Sequence, residues 1–151
     1  MSGATITVTN SQELSLAVSQ LSSGNGGTIL VENSSEIYEL SRFQAGPDYG
    51  EILITAADPE DPPTFTQVKL VASKNMTFSG LNFDGTQTNA TSRKDLEILG
   101  SDNITVENSV FKSTAEGYYD GTDPKVDAGG NVGHVRDSSG FTFSGNTVSN
   151  Y

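Results

Sequence analysis

The sequence predicts an all-β chain: short parallel strands stacked into a solenoid, with one amphipathic helix closing its N-terminal end. Three observations lead there. A stretch of the chain occurs three times without gaps. A single segment carries helical periodicity. The remainder is short apolar runs at period two, punctuated by Gly, Ser, Asn and Asp.

The repeat is the strongest of the three. One copy runs from Val68 to Phe83, the next from Leu96 to Phe111, the third from Gly133 to Val148. Leu70, Ile98 and Val135 coincide, as do Met76, Ile104 and Phe141. Phe78, Val106 and Phe143 form another column, and Phe83, Phe111 and Val148 a fourth. Thr77, Thr105 and Thr142 fall between the apolar columns. Each copy holds three short strands joined by polar turns. No copy can bury its apolar face alone, and stacking at roughly 4.8 Å buries every column in one continuous core. An antiparallel sandwich also has short strands and Gly-rich turns, but it does not require equivalent columns in gapless copies.

The other elements follow in order. Thr5 to Val8 alternates as a strand. Asn10 is a helix N-cap, and Glu13 three residues on completes a capping-box-like pair. Leu14, Ala17, Val18 and Leu21 then make one apolar helical face. Ser22 to Gly27 ends the helix. Short strands are predicted at Thr28 to Val31, Ile37 to Leu40 and Glu51 to Thr55. Asp58-Pro59-Glu60-Asp61-Pro62-Pro63 is a surface turn, because proline lacks the ladder donor. The excess between copies sits in two insertions, Thr86 to Asp95 and Thr114 to Asn131. The whole reads as one domain, 1–151, made of a strand and capping helix (1–27) and a stacked-strand region (28–151). The chain stops at Tyr151, directly after the third copy. The expectation is either a piece of a longer solenoid, truncated at its C-terminal end, or a last rung with Val135, Phe141, Phe143 and Val148 on top that is prone to self-association or to coverage by a partner.

Composition narrows the function. The chain has 151 residues, 19 acidic and 8 basic, for a formal charge of −11. Such a charge repels phosphate backbones and argues against nucleic-acid binding. It also resists an anionic polysaccharide unless cations intervene, and Asp-rich turns can ligate calcium. There is no cysteine, which excludes disulfides, Cys-based zinc sites and a thiol nucleophile. No apolar run is long enough to span a membrane. The opening Met1-Ser2-Gly3-Ala4-Thr5 carries neither a basic region nor a hydrophobic stretch, so any export of this chain is expected to run without a conventional N-terminal signal peptide.

The order of cap helix, Gly26-Gly27-Thr28-Ile29-Leu30-Val31, Ile52-Leu53-Ile54-Thr55-Ala56, Pro-rich turn, and Ser73-Lys74-Asn75-Met76-Thr77-Phe78-Ser79-Gly80-Leu81-Asn82-Phe83 resembles the start of pectate-lyase-like right-handed parallel β-helix proteins. Within them it is most similar to chondroitinase-B-like alginate lyases and mannuronan C5-epimerases. The resemblance implies a right-handed parallel β-helix, chemistry on acidic uronate polysaccharides, and frequent calcium dependence. The same rungs build phage tailspikes and noncatalytic surface proteins. No catalytic motif of the family transfers residue by residue onto this chain.

Candidate site residues come from strand parity. If Leu70, Ile98 and Val135 point inward, then Lys69, Glu97 and His134 form an outward column, and so do Val71, Leu99 and Arg136. His134 and Arg136 lie roughly 7 Å apart along one strand. An imidazole base beside a guanidinium suits proton abstraction next to a carboxylate, with Glu97 one rung below. The plainer alternative is a solvated face whose charges pair weakly. In the second insertion, Tyr118 and Tyr119 offer sugar-stacking rings and Lys125 a cation for the substrate, as Lys69 does on the column. Asp120 and Asp123 are candidate calcium ligands, although Asp-Gly is also a turn signature. Asn33, Asn75, Asn89 and Asn103 open glycosylation sequons, at least two of which are accounted for by turn asparagines before strand threonines.

Overall fold

Every strand pair recorded between named strands is parallel. The structure is a computed structural model that describes residues 4–33, 38, 44, 46–47, 50–65, 68–84, 94–112 and 131–149. Strand β1 (Ala4–Val8) leads into helix α1 (Ser11–Ser22). Asn10 caps the helix, its Oδ1 accepting from the Glu13 N–H at 2.8 Å. The reciprocal half of the capping box is displaced by one residue. Glu13 Oε1 accepts from the backbone N–H and the hydroxyl of Thr9, at 2.8 and 2.9 Å, because Thr9 offers two donors there. Leu14, Ala17, Val18 and Leu21 are buried, as the periodicity predicts.

Strands β2 (Gly26–Val31) and β3 (Glu51–Ala56) extend the sheet begun by β1. The β1–β2 approach requires glycine: a Cβ on Gly27 would lie 2.3 Å from the Ala4 carbonyl oxygen. The Asp58–Pro63 stretch is a turn, held by the Asp61 N–H on the Asp58 carbonyl and the Glu60 N–H on Asp58 Oδ1. After it come β4 (Thr64–Phe65), β5 (Val68–Val71), β6 (Lys74–Ser79) and β7 (Asn82–Asp84). Then follow β8 (Lys94–Leu99), β9 (Asp102–Glu107) and β10 (Val110–Lys112). The last are β11 (Asn131–Arg136), β12 (Thr142–Ser144) and β13 (Thr147–Ser149). Of the strand predicted at Ile37 to Leu40 only Tyr38 is described, bridged in parallel to Phe65; the rest lies outside the described residues.

These strands form three parallel sheets, ordered β1-β2-β3-β6-β9-β12, β4-β7-β10-β13 and β5-β8-β11. From β5 onward the chain visits the three sheets in the same order three times. The register matches the aligned columns: Leu70 pairs with Ile98 and Ile98 with Val135, Phe78 with Val106 and Val106 with Phe143, Phe83 with Phe111 and Phe111 with Val148. Among the described residues, no helix is long and apolar enough to cross a membrane.

The turns share a column pattern of their own. Ala72, Gly100 and Asp137 have φ of 52°, 56° and 55°. Asn75, Asn103 and Gly140 have 55°, 55° and 68°, and Gly80, Asn108 and Gly145 have 69°, 51° and 64°. A left-handed residue at a fixed place turns each strand into the next, which is why Asn, Asp and Gly dominate these columns. Ala72 is the exception, a residue with neither glycine's freedom nor a polar side chain.

The core is a stack. Tyr38, Phe65, Phe83 and Phe111 are buried, with successive ring centroids 5.3, 5.8 and 4.4 Å apart. Beside the apolar columns run buried hydroxyls. The Ser73 N–H donates to Ser101 Oγ, and the Ser101 N–H to Ser138 Oγ. The Leu81 N–H donates to Ser109 Oγ at 3.2 Å, and the Ser109 N–H to Asn146 Oδ1 at 2.8 Å. Each side chain thus satisfies a backbone donor at a bend where the ladder is interrupted.

Ser109→Ala would leave the Leu81 N–H buried without its acceptor, and is expected to lower the unfolding free energy by about 1–3 kcal/mol. Val110→Ala, one position along and 39% exposed, is expected to cost less. Urea titration of the two variants checks the order, and equal midpoints would show that Ser109 does not carry this load.

Candidate functional site

The row proposed from strand parity is in register. Lys69 pairs with Glu97, and Glu97 with His134. Val71 pairs with Leu99, and Leu99 with Arg136. Along β5 the burial alternates: Val68 and Leu70 are buried, while Lys69 and Val71 are half-buried. Backbone parity therefore assigns Lys69 to the outer row of the three-stranded sheet, with positions 97 and 134 beside it at roughly 4.8 Å intervals. The side chains of Glu97, His134 and Arg136 lie outside the described residues. So do Tyr118, Tyr119, Asp120, Asp123 and Lys125 in their entirety.

A second feature was not anticipated. Where β2 and β3 end side by side, Glu32, Asn33, Ala57, Asp58 and Asp61 line an open hollow of about 270 Å³. Asn33 Nδ2 donates to Asp61 Oδ1 at 2.8 Å. Asp58 is turned toward its own loop by the Glu60 N–H. The hollow presents carboxylate oxygens, which accept hydrogen bonds from hydroxyl-rich ligands and repel anions. Among the described residues, no three His, Cys, Asp or Glu side chains group closely enough to hold a metal ion. The sequence signal was present in Asp58 and Asp61, but the Pro-rich turn alone does not show that Glu32 and Asn33 stand next to it.

Two sequon asparagines have structural work. Asn103 Nδ2 donates to Asn75 Oδ1 at 2.8 Å, and Asn75 Nδ2 to the Pro47 carbonyl. They form a short carboxamide ladder along one turn column.

No protein-family model, curated protein sequence or solved structure matches this chain.

Lys69 and Glu97 are register partners on neighbouring parallel strands, and an opposite-charge pair at such positions contributes less than about 1 kcal/mol when solvated. A double-mutant cycle with Lys69→Ala and Glu97→Ala is expected to give a coupling within that bound, falling further at 1 M salt. A larger, salt-insensitive coupling would mean the pair is shielded from water.

Proposed function

We propose that this chain is the helix-capped N-terminal part of a right-handed parallel β-helix in a secreted carbohydrate-active protein. The substrate class is an acidic, uronate-containing polysaccharide, and the wider protein's activity is that of a lyase or C5-epimerase. Support for the β-helix is the threefold passage through three parallel sheets in constant order. Parallel crossovers are right-handed in about 98% of cases, which gives the hand. Support for a polymer ligand is the register of Lys69, Glu97 and His134, with Arg136 two residues beyond. Ionisable groups repeated on consecutive strands suit a polymer laid across them.

The charge of −11 makes calcium the proposed bridge between this protein and an anionic chain. Lys69 and Arg136 supply direct cationic contacts. A noncatalytic binding or structural β-helix module, as in a tailspike or surface protein, is the second reading. It needs only the stacked parallel sheets and no catalytic group in this chain.

Calorimetric titration with alginate, pectate and chondroitin tests the ligand. Calcium-dependent binding is expected, weakened roughly tenfold by Lys69→Ala. This chain by itself is expected to produce no rise in unsaturated-uronate absorbance. Absence of binding to all three polymers, with and without calcium, sinks the polysaccharide reading. Turnover that disappears in His134→Ala would show that the catalytic group is already in this chain.

A further inference from the structure

The outer face of the six-stranded sheet carries two rows of hydroxyls in register. Thr5 pairs with Thr28, Thr28 with Leu53, Leu53 with Thr77, Thr77 with Thr105 and Thr105 with Thr142. Two residues along each strand, Thr7, Thr55, Ser79 and Ser144 stand in a second row, with Leu30 and Glu107 between them. The burial alternation turns both rows outward. In β3, β6 and β9 the intervening Ile54, Phe78 and Val106 are buried, whereas Thr55, Thr77 and Thr105 are half-buried. Thr5 and Thr7 are exposed. The Ser79 hydroxyl donates to Glu107 Oε2 at 3.2 Å. Among the described residues, the hydroxyls of Thr28, Thr55, Thr77 and Thr105 meet no hydrogen-bond partner.

Threonine favours strands, which accounts for one at any single position. It does not account for the contrast between faces. In the three-stranded sheet, the corresponding row of the same copies holds positions Lys69, Glu97 and His134, where this sheet has Thr77, Thr105 and Thr142. Glu107 is the single charged residue in the two hydroxyl rows, in a chain with 19 acidic and 8 basic residues. A face of methyls and hydroxyls on so acidic a protein suits a neutral ligand, and one that repeats at the spacing of the rows.

We propose that this face binds the surface of ice crystals. Spacing carries the assignment. Neighbouring strands lie about 4.8 Å apart, and alternate residues about 6.7 Å apart along a strand. Water oxygens joined tetrahedrally by bonds of about 2.75 Å stand about 4.5 Å from their second neighbours, and the layers they form repeat about every 7.3 Å. The mismatch between strands is about 0.3 Å per step, or about 0.6 Å across β3, β6 and β9. Threonine is stiff at χ1, so its hydroxyl and methyl are held in place before binding and little freedom is lost. Columns shared by three sheets around one core restrain the twist that would scatter the rows. The hydroxyls anchor lattice waters, while the methyl groups exclude disordered ones. This face belongs to a different sheet from the Lys69 row, so ice binding and polysaccharide binding stand or fall separately.

The full chain is cooled with a single ice crystal in an osmometer, reading the gap between melting and freezing temperatures. Grain growth in annealed polycrystalline ice gives a second readout. A measurable gap, faceted crystals and arrested grain growth are expected. Thr77→Lys and Thr105→Lys are expected to abolish all three, because an ammonium at the contact would have to be desolvated. Thr77→Ala, which removes the hydroxyl and methyl without adding charge, serves if circular dichroism shows a lysine variant to be unfolded. Leu16→Lys, on α1 and 64% exposed, is expected to change nothing. Freezing of the unsubstituted chain's solution at its melting point, with grains that coarsen as in buffer, overturns the proposal. So does activity that the folded threonine variants retain. Retention on microcrystalline cellulose or chitin with no effect on ice also overturns it, and assigns the face to a crystalline saccharide.

Discussion

In-register parallel pairing is the constraint on which the rest of this structure depends. A strand has a period of two, so a one-residue slip would send Leu70, Met76 and Phe78 outward and their polar neighbours inward. Once Leu70 stands under Ile98 and Phe83 under Phe111, the position of every other side chain in those strands follows. The register is held by the columns themselves. Phe83 and Phe111 stack with ring planes only 4° apart, which a shift along the strand would destroy. Dispersion and area burial both favour apolar side chains packed closely on apolar side chains.

That stacking creates a second demand at the bends. A chain passing from one sheet to the next must turn sharply without stranding buried amides. Two devices meet it. Left-handed residues at fixed places, Asn75 above Gly46–Pro47 and below Asn103 among them, make the turn. Ser101 and Ser109 take up an amide of the layer beneath, and Ser73, Ser101 and Ser109 return their own hydroxyls to a carbonyl two residues back. These serines are 2%, 1% and 2% exposed, so an unfilled partner there would carry the full desolvation cost. The polar stack of Ser109 and Asn146 above Leu81 therefore belongs to the architecture.

The candidate row of Lys69, Glu97 and His134 was readable from sequence because it inherits its register from the apolar columns beside it. Parity alone converts Leu70-Ile98-Val135 into an adjacent outer row. The hollow of Glu32, Asn33, Asp58 and Asp61 was not readable in the same way. Its two halves lie at the ends of different strands, outside the repeated copies, and no column links them. What joins them is the β2–β3 pairing, in which Val31 meets Ala56. The chemistry proposed for the outer row rests on charge pattern and resemblance, and the sheets supply only its spacing.

Local pattern decided the elements. Asn10 and the spacing of Leu14, Ala17, Val18 and Leu21 determine the helix, and the gapless copies determine which residues stack. Those features depend on neighbours a few residues away or on exact recurrence, and both are written in one dimension. Tertiary contact decided the rest. Glu13 reaching Thr9, Ala72 held at a φ of 52°, Tyr38 placed under Phe65 and the carboxylates gathered beside Ala57 all depend on which segments the parallel pairing brings together. Ala72 shows the reason most directly. Nothing in alanine favours a left-handed backbone, and it adopts one because its column, shared with Gly100 and Asp137, turns there in all three copies.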